Sequence, residues 1–355
     1  MKIDGKSYRS IWLNENGWSV HIFDQRDLPW KLNIVELKSP EDCAVAIKEM
    51  WTRGAPLLAM TGAYGLAMAL RDDPSDAGLD GAYKMLVSTR PTAVNLKWAL
   101  DQVYGVVQPL TPVDRAEAAY AKVNALCDED VATNRAIGEY GLTIIRELHR
   151  QNPDRPVNIL THCNAGWLAT VDYGTATSPI YRAHDEGIPV HVWVDETRPR
   201  NQGALLTAYE LQQHGVPHHL IVDNAGGLLM QRGQVDMCIV GVDRVTRNGD
   251  ACNKIGTYLK ALAAFDNDVP FYVALPMTTY DADMPTGRDV PIEERDATEV
   301  THIDGLDENG EMKRVKLTLS PGGNLAFDIT PAKYVTGYVT EQGLMSRAEL
   351  IAKAG

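Results

Sequence analysis

From residue 157 onward, short apolar runs recur at a regular interval, separated by longer stretches of mixed polarity. VNILTH (157–162), VHVWVDE (190–196), HHLIVD (218–223), MCIVGVD (237–243) and FYVALP (271–276) are nearly continuous in apolar residues and are closed by polar residues, Gly or Pro. Such runs predict strands buried on both faces, as in a parallel sheet. The segments between them, YGTATSPIYRAHDEG, QGALLTAYELQQHG, AGGLLMQRG and NKIGTYLKALAAFDN, each predict a helix of about 12 residues stopped by Gly or Asn. Repeated strand and helix predict a Rossmann-like doubly wound parallel sheet, with ligands beyond the carboxyl ends of its strands.

Upstream the rhythm differs. The first 35 residues mix short runs such as SVHIFD with turn formers and predict one or two β-hairpins. SPEDCAVAIKEMW then carries a Ser cap and a helical apolar period, and APLLAMTGAYGLAMAL is apolar all round, with small residues that suit close helix contact. Further helical patterns cover 92–107 and 113–150. The fold class expected is therefore α/β. Residues 1–150 form a small, mainly helical N-terminal domain with a β-hairpin start, and residues 151–355 form the Rossmann-like domain.

Composition narrows the partners. With 355 residues and 45% apolar content the chain can bury a sizeable core. Its net charge of −13 argues against nucleic acid or an acidic membrane surface, but leaves room for a small anion held by a local donor cluster. No apolar run approaches the ~20 residues of a membrane span, and the N-terminus MKIDGKSYRS lacks a signal-peptide core, so a cytoplasmic location is expected. Five widely spaced cysteines fit free thiols and form no CxxC metal pair. There is no G-x-G-x-x-G after the first strand, no P-loop and no zinc-type histidine pair, so neither a cofactor nor a metal is expected.

Ionisable residues follow strand after strand: His162, Cys163 and Asn164; Asp195, Glu196, Thr197 and Arg198; Asp223 and Asn224; Asp243 and Arg244. Four such ends in a row make a pocket-like set. Here a pattern emerges: RGAP (53–56), TRPTAVNL (89–96), LTHCNAG (160–166), DETRPRNQGALLTAYEL (195–211), GVDRVTRNGDACNKIGTY (241–258) and PIEERD (291–296) together resemble the methylthioribose-1-phosphate isomerase family. That family is related to regulatory subunits of the guanine-exchange factor for translation initiation.

The resemblance implies an aldose–ketose isomerase acting on 5-methylthioribose 1-phosphate or 5-deoxyribose 1-phosphate, in methionine salvage or a related route, and a homodimer. It implies catalytic roles for Cys163 and Asp243. Asp243 would serve as the acid for ring opening, and Cys163 either as a thiolate base or as a group stabilising a hydride shift. Arg53 with Gly54 and Ala55, Arg90, Gln202, Asn253 and Lys254 would bind the sugar phosphate. A ribose 1,5-bisphosphate isomerase and a non-catalytic regulatory subunit are the competing readings. THCNAG followed by Trp167, and DNAGGLLM after the third strand, depart from the family pattern, with Trp167 expected to reshape the pocket near C5 of the sugar.

Overall fold

In the computed structural model, residues 1–91 and 93–353 are described; Thr92 of the TRPTAVNL stretch and the last two residues of the expected second domain lie outside the described residues. The chain starts with the expected small β elements. A hairpin pairs Lys2–Ile3 with Lys6–Ser7, and a three-stranded antiparallel sheet joins Ile11–Leu13, Val20–Phe23 and Ile34–Leu37. Helices α1 (Pro40–Lys48), α2 (Ala55–Asp72), α3 (Asp76–Ser88), α4 (Val94–Val107) and α5 (Pro112–Gln151) follow. The Ser39 side chain caps α1 by accepting from the Asp42 N–H. The glycines of α2 do what its composition suggests: a Cβ on Gly62 would lie 2.3 Å from Leu96 of α4, so the two helices approach at van der Waals distance only because no side chain intervenes.

Seven strands build the main sheet: β1 (Val157–Thr161), β2 (Val190–Asp195), β3 (His218–Ile221), β4 (Met237–Val240), β5 (Phe271–Ala274), β6 (Gly337–Thr340) and β7 (Gly343–Met345). Their spatial order is β3-β2-β1-β4-β5-β6-β7, and every pairing is parallel except that of β7. The strand order reverses between β1 and β4, a switch point that opens a crevice at the carboxyl ends. Side chains alternate across the sheet as the strand period requires: Ile159, Met237 and Ile239 enter one apolar cluster, while Leu160, Cys238 and Val240 enter another on the opposite face.

The crossover helices are shorter than the spacing suggests: α6 (Ser178–Asp185), α7 (Ala208–His214), α8 (Ala225–Gln231) and α9 (Thr257–Asp266). Part of each segment serves another purpose. Gly203–Thr207 forms a π-helical turn ahead of α7, and Asn253 and Lys254 belong to a strand, Ala251–Lys254. That strand pairs with Arg244–Thr246 and Phe327–Thr330 in a second, four-stranded sheet beside the carboxyl end of β4. Helix α5 spans two cores. Its residues 119–127 join the cluster built by α1–α4, whereas Ile137–Ile145 pack with the main sheet.

Candidate functional site

At the end of β1 the chain turns sharply through Cys163, whose φ of 69° is a left-handed conformation disfavoured for any residue with a Cβ. Neighbours hold it there. The Cys163 N–H donates to Thr197 Oγ1 at 2.8 Å and the Thr207 hydroxyl donates to the Cys163 carbonyl at 2.7 Å. Beneath this turn the fully buried Glu210 carboxylate accepts from Asn164 Nδ2, the N–H groups of Trp167 and Leu168, and the Tyr181 hydroxyl. Burial outweighs these donors and pushes Glu210 up to about 7. Gly166 is obligatory in this packing, because a Cβ there would sit 1.6 Å from Glu210 Oε2.

Asp243 lies just past β4, its N–H donating to the Cys252 carbonyl at 3.0 Å. The antiparallel strand carrying Cys252 thereby places Asn253 and Lys254 beside it. Lys254 is nearly fully buried; its ammonium donates to the Ala326 carbonyl at 2.8 Å and lies 4.3 Å from the Phe327 ring centroid. From the helical region comes the N-terminus of α2, with Arg53 and Gly54 just ahead of it and no acidic residue in its first turn. Gly54 has φ 89°, and a Cβ would meet the Ala169 carbonyl oxygen at 2.4 Å, so only glycine fits. Unpaired N–H groups at such a helix start favour an anion.

Arg53, Gly54, Ala55, Arg90, Cys163, Gln202, Asp243, Asn253 and Lys254, the residues singled out in the sequence, all line one cavity. Gln202 is buried with its Oε1 lacking a partner among the described residues. Asp243 is exposed at the cavity wall, and the protein atoms crowded around it raise its pKa by desolvation despite Lys254, Arg295 and Arg90 nearby. Burial likewise raises the Cys163 thiol, against the pull of Lys254 and Arg53. It lowers the Arg53 guanidinium to about 9, leaving it charged at neutral pH, and it lowers Lys254 and Arg90 as well. Arg244 is turned to Asp281, at 3.3 Å.

Trp167 does not reshape this cavity. Its ring is 1% exposed in the core, 5.9 Å from Phe23, because the Glu210 hydrogen bonds direct the turn inward; Ala165 lines the cavity instead. Several contributors escape sequence reasoning. Glu293 and Arg295 line the cavity, and the PIEERD stretch is their only signal. Glu210 sits in an ordinary helical pattern that hides its role. His162 bonds through Nδ1 to Asp195 at 2.8 Å and through Nε2 to the Ile255 carbonyl at 2.9 Å, cross-bracing β1, β2 and the loop before α9. With Asp195 and Asp223 it could in principle hold a metal, but the Lys260 ammonium already stands 3.2 Å from Asp195 and takes the place of a cation.

Comparison with known proteins decides the kinship. The sequence profile of the initiation factor 2 subunit family matches residues 51–347. The chain belongs to this family. Among the members it resembles, methylthioribose-1-phosphate isomerase of Paramagnetospirillum magneticum is 59% identical over 97% of this chain and 96% of the relative. The Escherichia coli protein of that name is 55% identical over 98% of this chain and 95% of its own length. In structure, the 5-methylthioribose 1-phosphate isomerase of Pyrococcus horikoshii OT3 superposes with TM-score 0.84 at 36% identity, covering 99% of this chain and 97% of that one. Subunit delta of translation initiation factor eIF-2B from A. fulgidus gives TM-score 0.80 at 37% identity, covering 96% of each. The initiation factor 2 subunit family thus brings together proteins named as isomerases and as initiation factors, and the cavity must separate the two readings.

Proposed function

We propose that the protein is a methylthioribose-1-phosphate isomerase of methionine salvage, converting the aldose 1-phosphate to the ketose 1-phosphate. The observation that carries this is one cavity joining a carboxyl and a thiol of raised pKa, Asp243 and Cys163, to the cations Arg53, Arg90 and Lys254 and the start of α2. A regulatory subunit needs no such proton-carrying pair. High identity over nearly full length to relatives bearing the isomerase name supports the same reading.

The chemistry follows from the substrate. C1 is locked in an acetal to phosphate and ring oxygen, so the ring must open before hydrogen can move from C2 to C1. Asp243, which desolvation helps to keep protonated, gives its proton to the ring oxygen as the C1–O bond breaks. Its carboxylate then takes the proton of the C2 hydroxyl as the carbonyl forms, which regenerates the acid. C1 is reduced and C2 oxidised within one molecule, so no external hydride carrier takes part. Cys163 either removes the C2 proton and returns it to C1 or flanks a direct hydride shift; solvent deuterium appears at C1 only by the first route. Arg53, Arg90, Lys254 and the N–H groups of Gly54 and Ala55 hold the phosphate, and Gln202 and Asn253 hold the sugar.

A second phosphate, as in ribose 1,5-bisphosphate, has less support. In the neighbouring cavity Arg26 is paired with Asp24 and Glu49, Arg200 with Glu299 and Arg314 with Asp304, while Arg53 is shared with the main cavity. The same functional reading places the protein in the cytoplasm, in keeping with its five free cysteines. It takes residues 1–150 and 151–355 as two domains, with the active site between α2 and the carboxyl edge of the Rossmann-like sheet. Turnover of the purified protein on 5-methylthioribose, 5-deoxyribose and ribose-5-phosphate 1-phosphates, compared side by side, tests the assignment. The methylthio compound is expected to give the highest kcat/KM; activity on the bisphosphate alone would overturn it.

A further inference from the structure

One charged pair lines the cavity without a role in the assignment above. The segment around Glu294 is laced to the chain before Phe327: the Ala326 N–H donates to the Glu293 carbonyl at 3.0 Å, the Arg295 N–H to the Asn324 carbonyl at 2.9 Å, and Glu294 bridges Leu325 in antiparallel fashion. Strand-like pairing puts residues 293 and 295 on the same side, and both side chains line the cavity. The same pairing seats Phe327, whose ring carries the Lys254 ammonium at 4.3 Å and the Arg295 guanidinium at 5.4 Å from its centroid.

Two cations held on one ring, inside an enclosed space, repel. After burial itself, Arg295 is the main influence lowering both Lys254 and Arg90. Besides Arg244, which pairs with Asp281, the cavity sets Arg53, Arg90, Lys254 and Arg295 against two carboxyl groups, Asp243 and Glu293. Glu293 Oε2 accepts from Arg295 Nη2 at 3.0 Å and lies 3.7 Å from Arg90 Nη2. Arg295 Nε, however, is buried with no hydrogen-bond partner among the described residues. A guanidinium fork with one N–H unused, in a cavity with surplus positive charge, lacks an acceptor.

We propose that Arg295 is a fourth anion-binding cation of this cavity, contacting the phosphate ester, and that Glu293 is an internal counterion holding Arg295 and Arg90 until the phosphate replaces it. This deepens the sugar-phosphate reading and rests on it. The two residues then act with opposite sign. Removing Arg295 deletes a donor to the anion, whereas neutralising Glu293 deletes a competitor for the same donors.

Calorimetric titration of the full chain with inorganic phosphate tests this, using wild type, Arg295→Gln, Arg295→Lys and Glu293→Gln, with melting temperature and turnover of 5-methylthioribose 1-phosphate measured on the same preparations. Arg295→Gln is expected to weaken phosphate by about tenfold or more, with Arg295→Lys between it and wild type, because a hydrogen bond to a charged group is lost. Glu293→Gln is expected to bind phosphate more tightly than wild type. Unchanged affinity in both Arg295 variants would overturn the anion-binding role, and weaker affinity in Glu293→Gln would overturn the counterion role. Should Arg295→Gln fail to fold, Arg295→Lys and Glu293→Gln carry the same signs. A wild type that binds phosphate through Arg295 yet does not convert the sugar ester would refute the isomerase reading and leave the anion site standing.

Discussion

Cys163 and Asp243 are the residues most open to sequence reading, because each directly follows an apolar run and so must lie at the carboxyl edge of the sheet. What the sequence could not supply is their protonation. That depends on how many protein atoms close around them, and on Lys254 and Arg90, which are distant in the chain. The protein atoms around Asp243 raise its pKa, so it keeps its proton to higher pH than a fully solvated aspartate. In its proposed role as general acid it is lost as pH rises through that raised value, so kcat should fall on the alkaline side. The profile should be measured for wild type and Cys163→Ser; the serine variant is expected to stay folded and to lose about two orders of magnitude in turnover or more. Near-normal turnover would remove the thiol from the chemistry. Arg295 was legible only as part of the PIEERD stretch, with no role attached, for a plain reason: it sits in a loop with no periodicity, and the pairing with 324–326 turns it inward.

At the scale of elements, the apolar runs 157–162, 190–196, 218–223, 237–243 and 271–276 became β1 to β5. Burial explains the continuous apolar signature of β1, β4 and β5, whereas β3 is an edge strand with no buried residue, contrary to the burial expected of it. The strands of the second sheet did not show themselves. Ala251–Lys254 and Phe327–Thr330 are short, and the first is polar where it faces the cavity, so its pattern resembles a loop. The π-helical turn Gly203–Thr207 was equally hidden, yet it brings Thr207 and then Glu210 under the Cys163 turn. Glu210 is folded with its pKa raised to about 7, so the native state holds a proton that the unfolded chain releases. Its contribution is therefore complete below the ordinary carboxylate value and lost as pH rises through about 7. Glu210→Gln turns an amide N–H toward at least one backbone N–H or hydroxyl donor and should cost ~1–3 kcal/mol. The stability gap between wild type and this variant, read by thermal melts, should be wider at about pH 5 than at about pH 8. A gap that widens toward alkaline pH would mean that the carboxylate, not the acid, is the native form.

For the molecule as a whole, the helical first part, the parallel sheet and the site at its edge follow from pattern alone, because layers of secondary structure must bury their apolar faces against one another. The last part of the sheet was less legible: β6 and β7 are separated from β5 by a long stretch that abandons the strand–helix alternation for short strands of other sheets, and Gly337 and Gly343 at their starts read as turns. The edge strand β3 leaves Leu220 exposed, with Val222 just beyond it, and the resemblance to the isomerases implies a homodimer. Sedimentation equilibrium should accordingly return twice the chain mass, and a monomer at micromolar concentration would contradict this. The direct test of the whole account is ketose formation from 5-methylthioribose 1-phosphate, followed by NMR for wild type and Asp243→Asn, with binding measured by calorimetry in parallel. Wild type should form the ketose, and the variant should bind with nearly unchanged affinity while turnover drops by ~10²–10⁴-fold. No ketose from the wild type, or undiminished ketose from Asp243→Asn, would contradict it.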